Sequence, residues 1–266
     1  MRSPSVLIGH TGLVGSNLLA AHTFDRCFNS ANIDEARGLR AGLLICAGLR
    51  GTKWVANRDP EGDERNMEAL VDVLRSMQAA EAVLISTIDV YVRSAGRTEL
   101  DPPEEAGNHP YGAHRARMER TFRECFPTAR IVRLPIIYGA HLRKNVIWDL
   151  LTGHELHKLN SAAVHQYYHL RHLWDDIQRM RAKDMRTLNL ATEPMSVRDM
   201  AAAVFGVVLD NPLPKPVHYD MRSVHAAAWG GTNGYLRSRD AVLSDLRTFV
   251  QEHPQRQVLP LPAAGR

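Results

Sequence analysis

The stretch "VLIGHTGLVGSNLL", residues 6–19, runs from a short apolar segment through Gly9, Gly12 and Gly15, spaced G-x-x-G-x-x-G, into a segment of helical periodicity. A strand, a glycine turn and a helix in that order let backbone N–H groups approach a pyrophosphate and aim the positive end of the helix at it. The strand and helix on either side make the glycine spacing specific. Gly9, Thr11, Gly12, Leu13, Val14 and Gly15 are therefore expected to hold the phosphates of a dinucleotide.

Outward from this turn, apolar runs of four to seven residues alternate with longer segments of helical spacing. That is the pattern of an α/β protein with a parallel sheet covered by helices on both faces. Strands are expected at 5–9, 26–29, 42–47, 82–87, 130–135 and 187–191, and helices near 13–21, 63–79, 112–125, 173–183 and 196–205. Met67, Leu70, Val71 and Leu74 recur at helical spacing and read as core. Segments 139–170 and 206–250 are less regular and rich in Gly, Pro, His and Trp. The expected organisation is a Rossmann-type domain, 1–138 plus about 165–192. A small interleaved C-terminal substrate lobe takes 139–164 plus about 193–252, and 253–266 is a flexible tail.

The 266 residues are 44% hydrophobic and 23% charged, enough to bury a sizeable core. No run of about 18 apolar residues and no leader pattern is visible, so the reading is a cytoplasmic protein without a membrane span. Cys27, Cys46 and Cys125 are far apart and lack metal-ligand spacing. The 33 basic residues are interleaved with 29 acidic ones, giving a net charge of +4. This is a mild bias toward anionic ligands, which a nucleotide satisfies without nucleic acid. His154, His157, His165, His169 and His172 match no recognised metal spacing, so no metal is expected.

The end of the second strand bears on cofactor choice, because an acid there grips the ribose 2′-hydroxyl and excludes a 2′-phosphate. Asn29 and Ser30 occupy that place, and Arg26, Arg37 and Arg40 are close in sequence. NADP is preferred over NAD on this reading.

In "HPYGAHRARMERTF", residues 109–122, Tyr111 and Arg115 are four apart on one helix face. A tyrosine hydroxyl can protonate the alkoxide left by hydride transfer if its pKa falls from about 10 toward working pH. A cation about 4 Å away at an effective dielectric of 20 is worth about 4 kcal/mol, near three pKa units. "LISTIDVY" places Thr87 24 residues before Tyr111. A threonine hydroxyl there can hold the same substrate oxygen.

With "ICAGLRG", "ERNMEALVDVL", "RLPIIYG" and "NLATEPMSVRDMAAAVFG" in order, the chain resembles the extended short-chain dehydrogenase/reductase family over most of residues 5–205. The resemblance implies that Thr87 and Tyr111 are catalytic, that Asn66 shapes the active-site helix, and that Cys46, Ala47 and Gly48 line the cofactor. It also implies that Pro135 packs at the nicotinamide. Arg115 stands where the family carries the lysine of Tyr-x-x-x-Lys; it can supply charge but cannot relay a proton as an ammonium does. Ile88 and Asp89 follow Thr87, so the acidic pair of the family's dehydratases is incomplete. Asp89, Arg143, Lys144 and Tyr167 are candidate substrate contacts, a solvated loop and strand packing being the other readings of the last three.

The implied function is an NAD(P)-dependent oxidoreductase or epimerase acting on a nucleotide-linked sugar or a similar carbonyl or hydroxyl substrate. Helices 63–79 and 112–125 would pair in a homodimer. The arginine motivates a second reading, a catalytically weakened member that serves as an NAD(P)-binding regulatory module.

Overall fold

The computed structural model describes residues 3–253. In chain order the elements are β1 (Ser5–Ile8), α1 (Leu13–Ala21), β2 (Arg26–Phe28), β3 (Arg40–Cys46), α2 (Lys53–Arg58), α3 (Pro60–Ser76), β4 (Gln78–Thr87), α4 (Pro110–Cys125) and β5 (Arg130–Leu134). Then come β6 (Ile136–Tyr138), α5 (Val146–Thr152), β7 (Val164–His165), β8 (Tyr167–His169), α6 (Leu173–Ala182), β9 (Thr187–Asn189), β10 (Met195–Ser196), α7 (Val197–Met200) and α8 (Arg239–Glu252).

The chain forms two compact units. Unit 1 comprises the residues up to Arg93, Glu99–Leu134 and Leu170–Asn189; unit 2 comprises Ser94–Thr98, Pro135–His169 and the chain from Leu190 on.

Unit 1 is built on a six-stranded sheet in the order β2-β1-β3-β4-β5-β9, with every pairing parallel. All six expected strands are in it. Alternate residues serve opposite faces, as the two-residue strand period requires. Val6, Ile8, Leu44, Cys46, Leu84 and Ile131 pack with Met67, Leu70, Val71 and Leu74 of α3 and with Met118 and Phe122 of α4. Leu7, Ile45, Val83 and Val132 lie between them in sequence and are equally buried, on the other face. Burial on both faces explains why these strands read as continuous apolar runs rather than alternating ones.

The helix expected at 63–79 begins earlier and ends earlier. Asp59 accepts a hydrogen bond from the Gly62 N–H at 3.0 Å and Pro60 takes the first helical position, so the cap lies upstream of the apolar stripe. Gln78 already pairs with Arg40 in the sheet, which stops the helix at Ser76.

Unit 2 contains a parallel pair, β6 with β8, and an antiparallel pair, β7 with β10. Gln166 is fully buried and bonds three backbone groups: its Nε2 donates to the Thr192 and Met221 carbonyls, and its Oε1 accepts from the Met221 N–H. The helix expected at 196–205 is α7 followed by a wider π turn over Ala201–Phe205, ended by Gly206 at φ +68°. Helix α8, capped by Ser238 and burying Val242, Leu243, Leu246, Phe249 and Val250 at helical spacing, is a helix not expected from the sequence. The expected tail falls, from residue 254 on, outside the described residues. Among the described residues no helix is long and apolar enough to cross a membrane.

Candidate active site

The strand order changes direction between β1 and β3, and ligands of open parallel sheets bind at the carboxyl ends of the strands at such a point. The three chain ends there are laced together. Gly9 N–H donates to the Phe28 carbonyl at 2.7 Å, and Ala47 N–H donates to the Ile8 carbonyl at 2.9 Å.

Gly9 has φ +87°, and a Cβ there would lie 2.3 Å from the Ala47 carbonyl oxygen. A Cβ on Gly15 would lie 2.1 Å from the Gly9 carbonyl oxygen. Neither position accepts a side chain. Gly12 differs, since a Cβ there would meet only the Gly9 oxygen, at 3.4 Å. Its bare backbone faces open space at the N-terminus of α1, next to the exposed Thr11, with Leu13 and Val14 half-buried behind it.

A cavity of about 240 Å³ opens beside this turn. It brings together Asn29 and Ser30 after β2, Gly48 after β3, Asn66 on α3 and Arg115 on α4. Asn29 belongs to a self-contained turn, its N–H donating to Asn32 Oδ1 and its own Oδ1 accepting from the Ala31 N–H, each at 2.8 Å. Two of the three arginines invoked for a 2′-phosphate lie elsewhere, and the third is engaged by carboxylates. Arg26 and Arg40 are the first residues of β2 and β3, at the amino ends of the strands, and Arg37 is paired with Asp34 and Asp72. Cys46 is fully buried beneath Ala47 and Gly48, and burial pushes its thiol up to about 11.

The chemical corner is built by the start of α4. His109 caps the helix, its Nδ1 accepting from the Gly112 N–H at 3.0 Å, and the Tyr111 N–H donates to Asn57 Oδ1 of α2 at 3.0 Å. Gly112 allows close approach, because a Cβ there would lie 2.3 Å from the Asp89 carbonyl oxygen. This contact brings Tyr111 against the end of β4, where a side-chain hydrogen bond joins it to Thr87. Thr87 Oγ1 also accepts from the Asp89 N–H at 3.2 Å.

Burial pushes the Tyr111 pKa above its ordinary value, with Asp89 adding to the rise. Arg115, the Thr87 hydrogen bond and Lys53 pull it back without restoring it. The expected fall toward working pH is thus not present, because desolvation of the phenolate outweighs the nearby cations.

Arg115 explains part of that balance. Its guanidinium lies over the Tyr111 ring, 4.5 Å from the centroid, and is buried. Nη1 donates to Asp63 Oδ2 at 2.8 Å, and Nη2 donates to Asp63 Oδ1 at 3.2 Å and to the Arg50 carbonyl. His114 Nδ1 meets the same Asp63 Oδ2 at 2.8 Å. Burial raises the Asp63 pKa, but the bonds from Arg115 and His114 and their charges overcome it and hold the carboxyl below its ordinary value. Asn66 lines the same cavity, its amide donating to the Gly62 carbonyl one turn back.

Below the corner runs a buried polar network that the sequence does not disclose. Arg133 on β5 grips Glu119 on α4 through two bonds of 2.9 and 2.7 Å, and Ser86, beside Thr87, donates to Glu119 Oε1 at 2.6 Å. The Tyr91 hydroxyl bonds Arg133 and accepts from Asn189 Nδ2. Glu119 and Ser86 therefore tie the helix carrying Tyr111 to the strand carrying Thr87. Lys53, Asn57, Asp63, Glu119 and Arg133 are the residues of this region missed from sequence. Only Arg133 carried a local signal, a charge in the middle of an apolar strand.

No family profile and no curated protein sequence matches the chain. Solved structures do. A dTDP-4-dehydrorhamnose reductase from Bacillus anthracis in complex with NADP matches with a TM-score of 0.72 at 16% identity, covering 95% of this chain and 99% of that one. The chain has the fold of the extended short-chain dehydrogenases/reductases. A dTDP-4-dehydrorhamnose reductase from Clostridium acetobutylicum (TM-score 0.70, 15% identity, 92% and 98% covered) shares this short-chain dehydrogenase/reductase fold. So does a UDP-glucose 4-epimerase from Thermotoga maritima with UDP-glucose (TM-score 0.66, 14% identity, 92% and 97% covered).

Within this short-chain dehydrogenase/reductase fold, Pro135, Arg143, Lys144 and Tyr167 belong to unit 2. Arg143 and Lys144 are exposed between β6 and α5. A substrate contact needs an accessible hydroxyl, and that of Tyr167 is fully buried without a hydrogen-bond partner; it is a packing residue of unit 2.

Proposed function

We propose that the chain is an NAD(P)-dependent oxidoreductase or epimerase acting on a nucleotide-linked sugar or a similar carbonyl or hydroxyl substrate. The observation that carries this reading is the contact of Thr87 with the Tyr111 hydroxyl, under an arginine, Arg115, that also lines the cavity. Proteins of the same fold include reductases and epimerases of nucleotide-linked sugars, one solved with NADP.

The residues present fit a dinucleotide. Gly12 leaves space at the α1 N-terminus for a diphosphate, and Asn29 and Ser30 offer neutral groups to the adenosine ribose, the acid that lines the cavity, Asp63, being paired with Arg115. NADP is the preferred cofactor on this reading, and NAD the other. When bound, the nicotinamide ring supplies or accepts a hydride.

Tyr111 then gives or takes the proton at the substrate oxygen, and Thr87 orients that oxygen. Burial keeps the Tyr111 hydroxyl protonated. A proton donor is what reduction of a carbonyl requires, so reduction is the favoured direction. Arg143, Lys144 and Asp89 remain candidate substrate contacts, and α3 with α4 the candidate homodimer face. The engagement of Arg115 by Asp63 favours the second reading, a cofactor-binding regulatory module without turnover. NADPH binding by fluorescence, with turnover of nucleotide-linked sugars by wild type and Tyr111→Phe, separates the two.

A further inference from the structure

The short helix α2 is fixed to the chemical corner at two points. Asn57 accepts the Tyr111 N–H, and Lys53, one turn earlier, places Nζ 2.7 Å from Asp89 Oδ1. Asp89 in turn reaches Thr87 through its backbone N–H. It also has His109 Nε2 at 3.7 Å from Oδ1. Because His109 Nδ1 accepts from Gly112, the neutral ring carries its proton on Nε2, facing Asp89. The lysine side chain is 38% exposed, whereas that of Arg115 is 3% exposed and fixed by a two-point carboxylate pair.

We propose that Lys53, carried to Thr87, Asp89 and Tyr111 by α2, is the positioning residue that supplies the adjustable positive charge for Tyr111 in place of the lysine of Tyr-x-x-x-Lys. This rests on the reading of Tyr111 as the proton donor. When Tyr111 has given its proton to the substrate oxygen, a phenolate remains. Arg115 and Lys53 are the cations bearing on it, Asp89 the opposing charge, and Asp63, His114 and His109 sit on the partners of these groups. Arg115 is already balanced by Asp63. Lys53 is held at the solvent edge by a carboxylate that it shares with His109, and its more exposed side chain has room to respond that the buried guanidinium of Arg115 lacks. The role agrees with the pull of Lys53 on Tyr111 against the effect of burial.

The test replaces Tyr111 by 3-fluorotyrosine and follows its ionisation by ¹⁹F NMR in otherwise wild-type, Lys53→Met and Lys53→Arg proteins. In Lys53→Met the midpoint is expected to rise by about half a pH unit, a size set by the partial exposure of the lysine. In Lys53→Arg it returns to within a fraction of that shift. On the unlabelled protein, kcat falls several-fold in Lys53→Met and recovers in Lys53→Arg, with the Kd for NADPH unchanged. A midpoint unmoved in Lys53→Met, or moved equally by Met and Arg, overturns the proposal. The NMR titration reads Tyr111 whether or not the protein turns over. A shifted midpoint in a protein that converts no substrate therefore overturns the proposed function and leaves the electrostatic role of Lys53 standing.

Discussion

Arg115 and Asp63 form a buried two-point pair, with side chains 3% and 6% exposed, so the guanidinium that lies over Tyr111 is shared with a carboxylate. The arginine thus has a structural role written into α3 and α4. Breaking such a pair by removing one partner leaves a charge without compensation in a low-dielectric site.

Arg115→Met should therefore destabilise the fold by about 3 kcal/mol, while Arg115→Met with Asp63→Leu recovers most of the loss. Urea unfolding at pH 7 measures both. The folded-state pKa of Asp63 lies below the unfolded value of about 3.9. Its pairing consequently contributes stability above that pH and loses it as the pH falls through the folded value. The double variant should lack this part of the acid-induced destabilisation.

Two glycines of one turn should respond differently. Gly15→Ala drives a methyl into the Gly9 carbonyl, so thermal stability and NADPH binding both fall. Gly12→Ala makes only an ordinary 3.4 Å contact with the Gly9 carbonyl oxygen, so its melting temperature should match wild type while NADPH binding weakens at least about tenfold, or about 1.4 kcal/mol. Calorimetry and fluorescence titration check the pair. Equal NADPH affinity in Gly12→Ala would place the phosphates elsewhere.

Glu119 holds α4 to the sheet under the active corner. Glu119→Ala strands Arg133 without its carboxylate, and a loss of about 3–5 kcal/mol in urea unfolding is expected. Arg133→Met combined with Glu119→Leu should fold nearly as stably as wild type. If Glu119→Ala costs under about 1 kcal/mol, the pair does not tie helix to strand.

Cys46 should resist alkylation in the native state, since its thiol is buried and pushed up to about 11. Iodoacetamide at pH 8 should label the half-buried Cys27 and Cys125 first, and mass spectrometry of the digest reads the order.

How much of this was legible in the sequence depended on the range of the interactions. The strand, glycine turn and helix of residues 5–21 are local, so spacing alone disclosed them, and Thr87 and Tyr111 followed from ordered motifs. Asp63 reads in sequence as an ordinary first-turn acid of α3; only the fold shows it facing Arg115, 52 residues away. Lys53 and Asn57 sit in a six-residue helix too short to show periodicity, and Glu119 reads as a surface charge on α4 until Arg133 of β5 is placed beneath it. The arginines near β2 misled for a related reason. Sequence proximity says nothing about which end of a strand a side chain occupies, and Arg26 and Arg40 begin theirs.

The most direct test of the central claim is conversion of nucleotide-linked sugars, followed by NMR of the products, with NADPH or NAD supplied to wild type and to Tyr111→Phe. The account predicts that at least one such sugar is reduced or epimerised by wild type, and that Tyr111→Phe lowers kcat at least about 100-fold with cofactor Kd unchanged. Conversion by Tyr111→Phe at the wild-type rate, or cofactor binding by wild type with no conversion across the panel, would contradict it.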